Sequence, residues 1–338
     1  RWADVVHLHT LPFPHVIAGF LWARWAGKPV VITPLFHIGD PQYEHWIFYQ
    51  ILRRCDRMFV LTDRERRYLI ARGVPSERVV VAGCGVDPER YDLKLITRET
   101  NGSLVDSTVP MPSGHTVLFV GRKEAHKGLP ILLKAFQQLR RRSPGVTLYL
   151  VGPRVEWFRQ FWRHCPNELK AGVIELDQVP HGLKVQLLHR SDVLVLPSTF
   201  ESFGIVLLEA WLCGIPVIVP EDSAPAEVAS GCGLTFHLDN VDDLTSQLLR
   251  LLEDPSLRHI LAERGRSRVL EQYTTDHVGA ATVRGYWRTL RRPRRILVVS
   301  HLYAPESFGG TQVVAEQDSN GLRRKGYQVR VICGRFDK

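Results

Sequence analysis

Short apolar runs alternate with helix-like segments along most of this chain, and that alternation constrains the fold more than any other feature. ADVVHLH (3–9), PVVIT (29–33), RMFVLT (57–62) and RVVVAG (78–83) are strand-length runs dominated by valine, isoleucine and leucine. Between the first two, Val16, Ile17, Phe20, Leu21 and Ala23 carry helical spacing up to Gly27. A helix over 43–54 puts Ile47, Ile51, Leu52 and Cys55 on one side and arginines on the other. Buried strands joined by helices form parallel-sheet units. A second series follows: HTVLFVG (115–121), a helix with Leu129, Leu132, Leu133, Phe136 and Leu139, VTLYLVG (146–152), VIEL (173–176), a helix over 182–190, DVLVLPS (192–198), IPVIVP (215–220), and helices over 241–254, 256–271 and 276–290. Residues 92–114 hold few apolar residues and end in Pro112, Ser113 and Gly114, which reads as an interdomain connection. The expectation is an α/β chain of two doubly wound, Rossmann-like domains, over 1–100 and 115–290. Residues 294–338 read as the first βαβ unit of a further or permuted N-terminal domain.

A length of 338 residues accommodates two such cores, and 44% apolar and 23% charged residues are ordinary for a globular protein. No window reaches ~18 uncharged apolar residues, so no spanning helix is expected. The chain opens on Arg1 and Trp2, with neither a methionine nor a signal peptide, as a fragment or processed chain would. Six cysteines, Cys55, Cys84, Cys165, Cys213, Cys232 and Cys333, stand singly without zinc-ligand spacing, and read as small buried residues of a cytoplasmic protein. The net charge of +9 is carried mainly by two arginine runs: Arg53, Arg54, Arg57, Arg64, Arg66 and Arg67, then Arg284, Arg288, Arg291, Arg292, Arg294 and Arg295. These read as solvated basic faces, with peripheral contact to an anionic membrane as the functional alternative and no nucleic acid partner.

Chemistry is expected at the C-terminal ends of the strands. In TFESFGIVLLEAWLCGIPVIV, Glu201 falls in a loop and Glu209 on a helix that starts at Gly204, with Ile205, Leu208 and Leu212 as its apolar stripe. The helix start offers N–H groups and dipole to an anion, and Glu201 before it suits sugar hydroxyls. A capped helix with a solvated glutamate is the competing reading. In FVGRKEAHKG, Gly121 allows the turn after a strand, and Arg122 and Lys127 are placed to hold the roughly two negative charges of a diphosphate. Each well-placed donor contributes on the order of 3–4 kcal/mol to such a leaving group. His7 and His9 end the first strand and His37 follows the second, where imidazoles can bond a sugar hydroxyl or the reacting centre. The sequence has no D-x-D pair, no phosphate loop of the G-x-x-x-x-G-K-S/T form and no G-x-S-x-G elbow. Gly83 and Gly85 lack the third glycine of a dinucleotide fingerprint, which disfavours a nicotinamide enzyme.

FVGRKEAHKG followed by LPSTFESFGIVLLEAWLCGIPVI resembles the C-terminal domain of the retaining GT-B glycosyltransferases of family 4, the glycosyl transferases group 1. AGCGVDPERY resembles the family's N-G-V-D segment with Cys84 in place of asparagine, and the likeness covers about 1–290. It implies transfer of a sugar from a UDP- or GDP-sugar to a glycan or lipid-linked acceptor, with retention and with no metal or other cofactor. By it, His37, Glu201, Arg122 and Lys127 form the catalytic set. Gly121, Arg122, Lys127, Glu201, Ser202, Phe203, Gly204, Ile205, Val206 and Glu209 line the donor, with Glu209 on the ribose, while His7 and His9 lie on the acceptor side. The family's first strand and Gly-rich loop are absent before Arg1, and a matching unit with Gly309 and Gly310 stands at the end. A tandem-enzyme fragment is the favoured explanation, over a permuted or truncated chain. The rivals are a noncatalytic nucleotide-sugar-binding module or inactive fragment, and a GT-B phosphorylase or epimerase.

Overall fold

The computed structural model describes residues 2–99, 109–110, 113–287, 293–301 and 310–334. In chain order its elements are β1 (Val5–His9), α1 (Pro14–Trp25), β2 (Val30–Thr33), α2 (Trp46–Arg54), β3 (Arg57–Val60), α3 (Asp63–Ala71) and β4 (Val79–Val81). There follow α4 (Leu93–Glu99), β5 (Thr116–Val120), α5 (Leu129–Arg142), β6 (Thr147–Val151), α6 (Glu156–His164), α7 (Asn167–Lys170), β7 (Val173–Leu176), α8 (His181–Arg190) and β8 (Val193–Val195). The chain continues through α9 (Ile205–Leu212), β9 (Val217–Pro220), α10 (Ala224–Ala229), β10 (Leu234–Phe236), α11 (Val241–Glu253) and α12 (Pro255–Gln272). It closes with α13 (Thr275–Trp287), β11 (Arg295–Ser300), α14 (Gly310–Arg324) and β12 (Gln328–Cys333).

Two compact units result, each around a six-stranded parallel sheet. The first takes residues 1–86, 200–203 and 271–338, with strand order β12-β11-β1-β2-β3-β4. The second takes residues 87–199 and 204–270, with order β10-β9-β8-β5-β6-β7. The α/β class, the parallel sheets and the doubly wound pattern are as expected, because strands buried on both faces, such as Thr147–Val151, read as near-continuous apolar runs.

The boundaries differ from the sequence reading. The first unit gives way to the second at Val86 and Asp87, and Leu93–Glu99 is helical where a connection was expected. In the tail, β11 pairs with β1 in parallel, Val5 opposite Ile296, and so extends the first sheet. Helix α13, read as closing the second domain, packs in the first unit, where Gly279 meets α14 at Gly321. A side-chain carbon on Gly279 would lie 3.1 Å from the Gly321 Cα, so the two helices cross closely at this pair of glycines. Gly309, Arg288, Arg291 and Arg292 lie outside the described residues. Five cysteines are buried and free as expected, but Cys333 is exposed on the edge strand.

Candidate active site

In the first unit the strand ends are set by a buried carboxylate. Thr62 caps α3 by accepting from the Glu65 N–H at 3.1 Å. The Glu65 side chain turns inward and accepts from the N–H of Phe36 at 3.1 Å and of Leu61 at 2.8 Å. These two bonds fix the loop after β2, where His37 stacks on Tyr43 with ring centroids 4.9 Å apart. His37 Nδ1 lies 4.0 Å from an Asp40 carboxylate oxygen. Residues 200–203 belong to this unit, and the Phe200 ring comes within 3.4 Å of where a side chain on Gly39 would begin. Phe203 packs edge-on against Tyr273 at 5.4 Å. Burial pushes the Tyr43 hydroxyl far up its titration range, and the charges of Asp40, Glu201 and Glu65 push it further. Glu201 and His37, far apart in sequence, thus both bear on Tyr43.

His7 and His9 are fully buried. His7 lies within β1, one ring nitrogen 2.6 Å from the Tyr286 hydroxyl and the other 2.8 Å from Thr33 Oγ1. Both nitrogens are therefore occupied by partners in the core. The His9 ring lies tilted against His7 with centroids 4.1 Å apart, and neither of its ring nitrogens has a hydrogen-bond partner. Its Nε2 is 3.8 Å from Asp318 Oδ2, which comes from α14. Burial drives the His9 imidazole down to about 3 and raises the Asp318 carboxyl from 3.8 to about 7. Because Asp318 holds its proton more tightly when folded, the associated stability is full below pH 3.8 and is lost as pH rises towards 7. Asp318→Asn copies the protonated form. It should stabilise the protein by on the order of 3–4 kcal/mol at pH 8 and by little near pH 4. Urea unfolding at both pH values checks this, and a variant no more stable than wild type at pH 8 would refute it.

In the second unit, Arg122 and Lys127 lie in the loop between β5 and α5, as the sequence places them. Arg122 is exposed and paired with Glu124 at 2.5 Å, and Glu124 also lies 3.4 Å from His126 Nε2. The loop is pinned by Lys123, which the sequence reading passed over. Its fully buried ammonium donates to the carbonyl of Gly152 at 2.6 Å, to that of Leu176 at 2.5 Å and to Glu175. Gly121 is not the residue that permits the turn, since its φ is not positive. That role falls to Gly128 at the start of α5, with φ +70 and the Pro197 carbonyl oxygen 2.0 Å from where a Cβ would sit. The Thr199 N–H donates to the His126 carbonyl at 2.8 Å, which ties this loop to the segment before Glu201.

Helix α9 follows Gly204 (φ 84), and no side chain caps it. The expected apolar stripe is an understatement: every residue from Val206 to Leu212 is buried, with Ile205 partly so. Glu209 is thus a carboxylate inside a core helix. Its Oε1 accepts from the Tyr91 hydroxyl at 2.8 Å and from Lys184 Nζ at 2.9 Å, and its Oε2 from the same ammonium at 3.0 Å. A carboxylate offers about four lone-pair directions, and these bonds use three of them. Neither Tyr91 nor Lys184 was flagged from sequence. The E-x7-E spacing locates Glu209 but carries no sign of partners on other elements.

The profile of the glycosyl transferases group 1 matches residues 110–268, and that of glycosyltransferase family 4 matches residues 1–90. The chain is similar to glycogen synthase of Mycobacterium tuberculosis, 32% identical over 313 residues, covering 88% of this chain and 73% of the relative. It is likewise 34% identical over 292 residues to a phosphatidyl-myo-inositol mannosyltransferase of Mycolicibacterium smegmatis, covering 84% of this chain and 70% of that protein. Among solved structures it resembles Anabaena HepE in complex with UDP and glucose, with a TM-score of 0.67 at 19% identity over 81% of this chain and 76% of the other.

Proposed function

Since the chain belongs to the GT-B-type glycosyltransferases that combine a group 1 and a family 4 domain, we propose that it moves a sugar from a UDP- or GDP-sugar to an acceptor with retention of anomeric configuration and without a metal ion. What carries this reading is the presence on one chain of G-R…K-G after β5 and E-x7-E around the start of α9. Arg122 and Lys127 take up the diphosphate charge as it develops, a role that divalent cations fill elsewhere, and the free N–H groups of α9 add to it. Glu201 accepts hydrogen bonds from the sugar hydroxyls, His37 lies beside the donor sugar, and Glu209 uses its remaining lone pair for the ribose. With no protein nucleophile assigned, the acceptor oxygen attacks on the face that the diphosphate leaves.

The acceptor in this reading is a glycan or lipid-linked glycan, met on the cytoplasmic side of an anionic membrane. The exposed arginines of α2 and α3 support that contact. UDP or GDP at about 100 times its dissociation constant should stabilise the protein by about 2.7 kcal/mol, read as a rise in melting temperature. A folded protein whose melting neither nucleotide shifts would end the proposal.

A further inference from the structure

Helix α1 is apolar on both sides. Val16, Phe20 and Ala23 face the core and are buried. Ala18, Leu21, Trp22 and Trp25 recur at i, i+3, i+4 and i+7 and are all exposed, Leu21 at 62%, Trp22 at 42% and Trp25 at 86%. A helix apolar all round is normally enclosed, and two outward indoles on one stripe need a partner. The helix ends among basic groups. Arg24 donates to the carbonyl of Arg54, at the end of α2, and pairs with Asp56 at 3.0 Å, so the C-terminal ends of the two helices adjoin. Arg54 is exposed there and Lys28 follows α1.

We propose that the outer face of α1 docks on an anionic lipid bilayer, setting Leu21, Trp22 and Trp25 at the headgroup boundary while Arg54 and Lys28 meet lipid phosphates. Indoles suit that boundary because each joins an apolar body to one N–H donor. A second copy of the chain is the poorer occupant, since a two-fold contact through this stripe would bring the same basic residues face to face. No helix among the described residues is long and apolar enough to cross a membrane, so the contact is one of a surface. The inference deepens the proposed membrane contact and rests on it, naming the face and adding an apolar component to the arginines.

The test is cosedimentation at low salt with vesicles of equal parts phosphatidylcholine and phosphatidylglycerol, and with phosphatidylcholine alone. Wild type should bind the anionic vesicles and bind the neutral ones far less. Trp22→Ser with Trp25→Ser should weaken anionic binding about tenfold or more, with the melting temperature and its response to nucleotide unchanged. Trp25→Ser alone, the most exposed position, should show a smaller loss in the same direction. A double variant that binds like wild type removes α1 from the contact and leaves the membrane reading standing. Wild type that binds no vesicle removes both, without touching sugar transfer. Equal binding to both vesicles overturns the basic rim, and a dimer that only the double variant dissolves assigns the face to self-association instead.

Discussion

A Glu201→Ala variant is expected to melt with wild type and to transfer sugar slower by a factor of about 10²–10³ or more. The two halves of that expectation have separate causes. Glu201 is partly exposed in a loop of residues 200–203, whose packing is carried by Phe200 and Phe203, so its carboxylate can go without opening a core. In the proposed mechanism its loss removes acceptors whose bonds to the sugar strengthen as the glycosidic bond lengthens. Initial rates at saturating donor, beside a thermal melt, check both. Turnover within about tenfold of wild type would take Glu201 out of the site.

Glu209→Ala is expected to behave in the opposite way, lowering stability by about 3 kcal/mol before any question of activity arises. Its carboxylate is buried and answers both the Lys184 ammonium and the Tyr91 hydroxyl, so truncation leaves a cation and a donor without their acceptor. Lys184 keeps some exposure, which places the loss at the low end for a buried pair. Urea midpoints measure it. Combining Glu209→Ala with Lys184→Met should recover part of the loss, and a single-variant cost below about 1 kcal/mol would show that the pair is not structural.

The strands and the two glutamates were legible because each depends on local information. A parallel strand covered on both faces is mostly apolar, and E-x7-E fixes a loop residue and a helical residue by spacing alone. Partnerships between distant elements were not legible. Nothing near Glu209 points to Tyr91 or Lys184, and nothing near His9 points to Asp318. The Tyr286 and Thr33 partners of His7 likewise lie on other elements. The turn in FVGRKEAHKG was assigned to the glycine after the strand, whereas backbone crowding from Pro197 imposes it on Gly128. On α1, helical spacing includes Leu21 without revealing that it faces outward, because apolar character does not say which side of a helix meets the core.

The pairing of Val5 with Ile296 has a consequence for biosynthesis. The second unit draws its strands from residues 116–236, so its sheet can close once that stretch has left the ribosome. The first sheet cannot: β1 leaves the ribosome well before β11, the strand that covers its open edge. Until then the nascent chain carries the unpaired edge of a buried strand from Val5 to Leu8, the kind of surface on which neighbouring chains mispair and chaperones act.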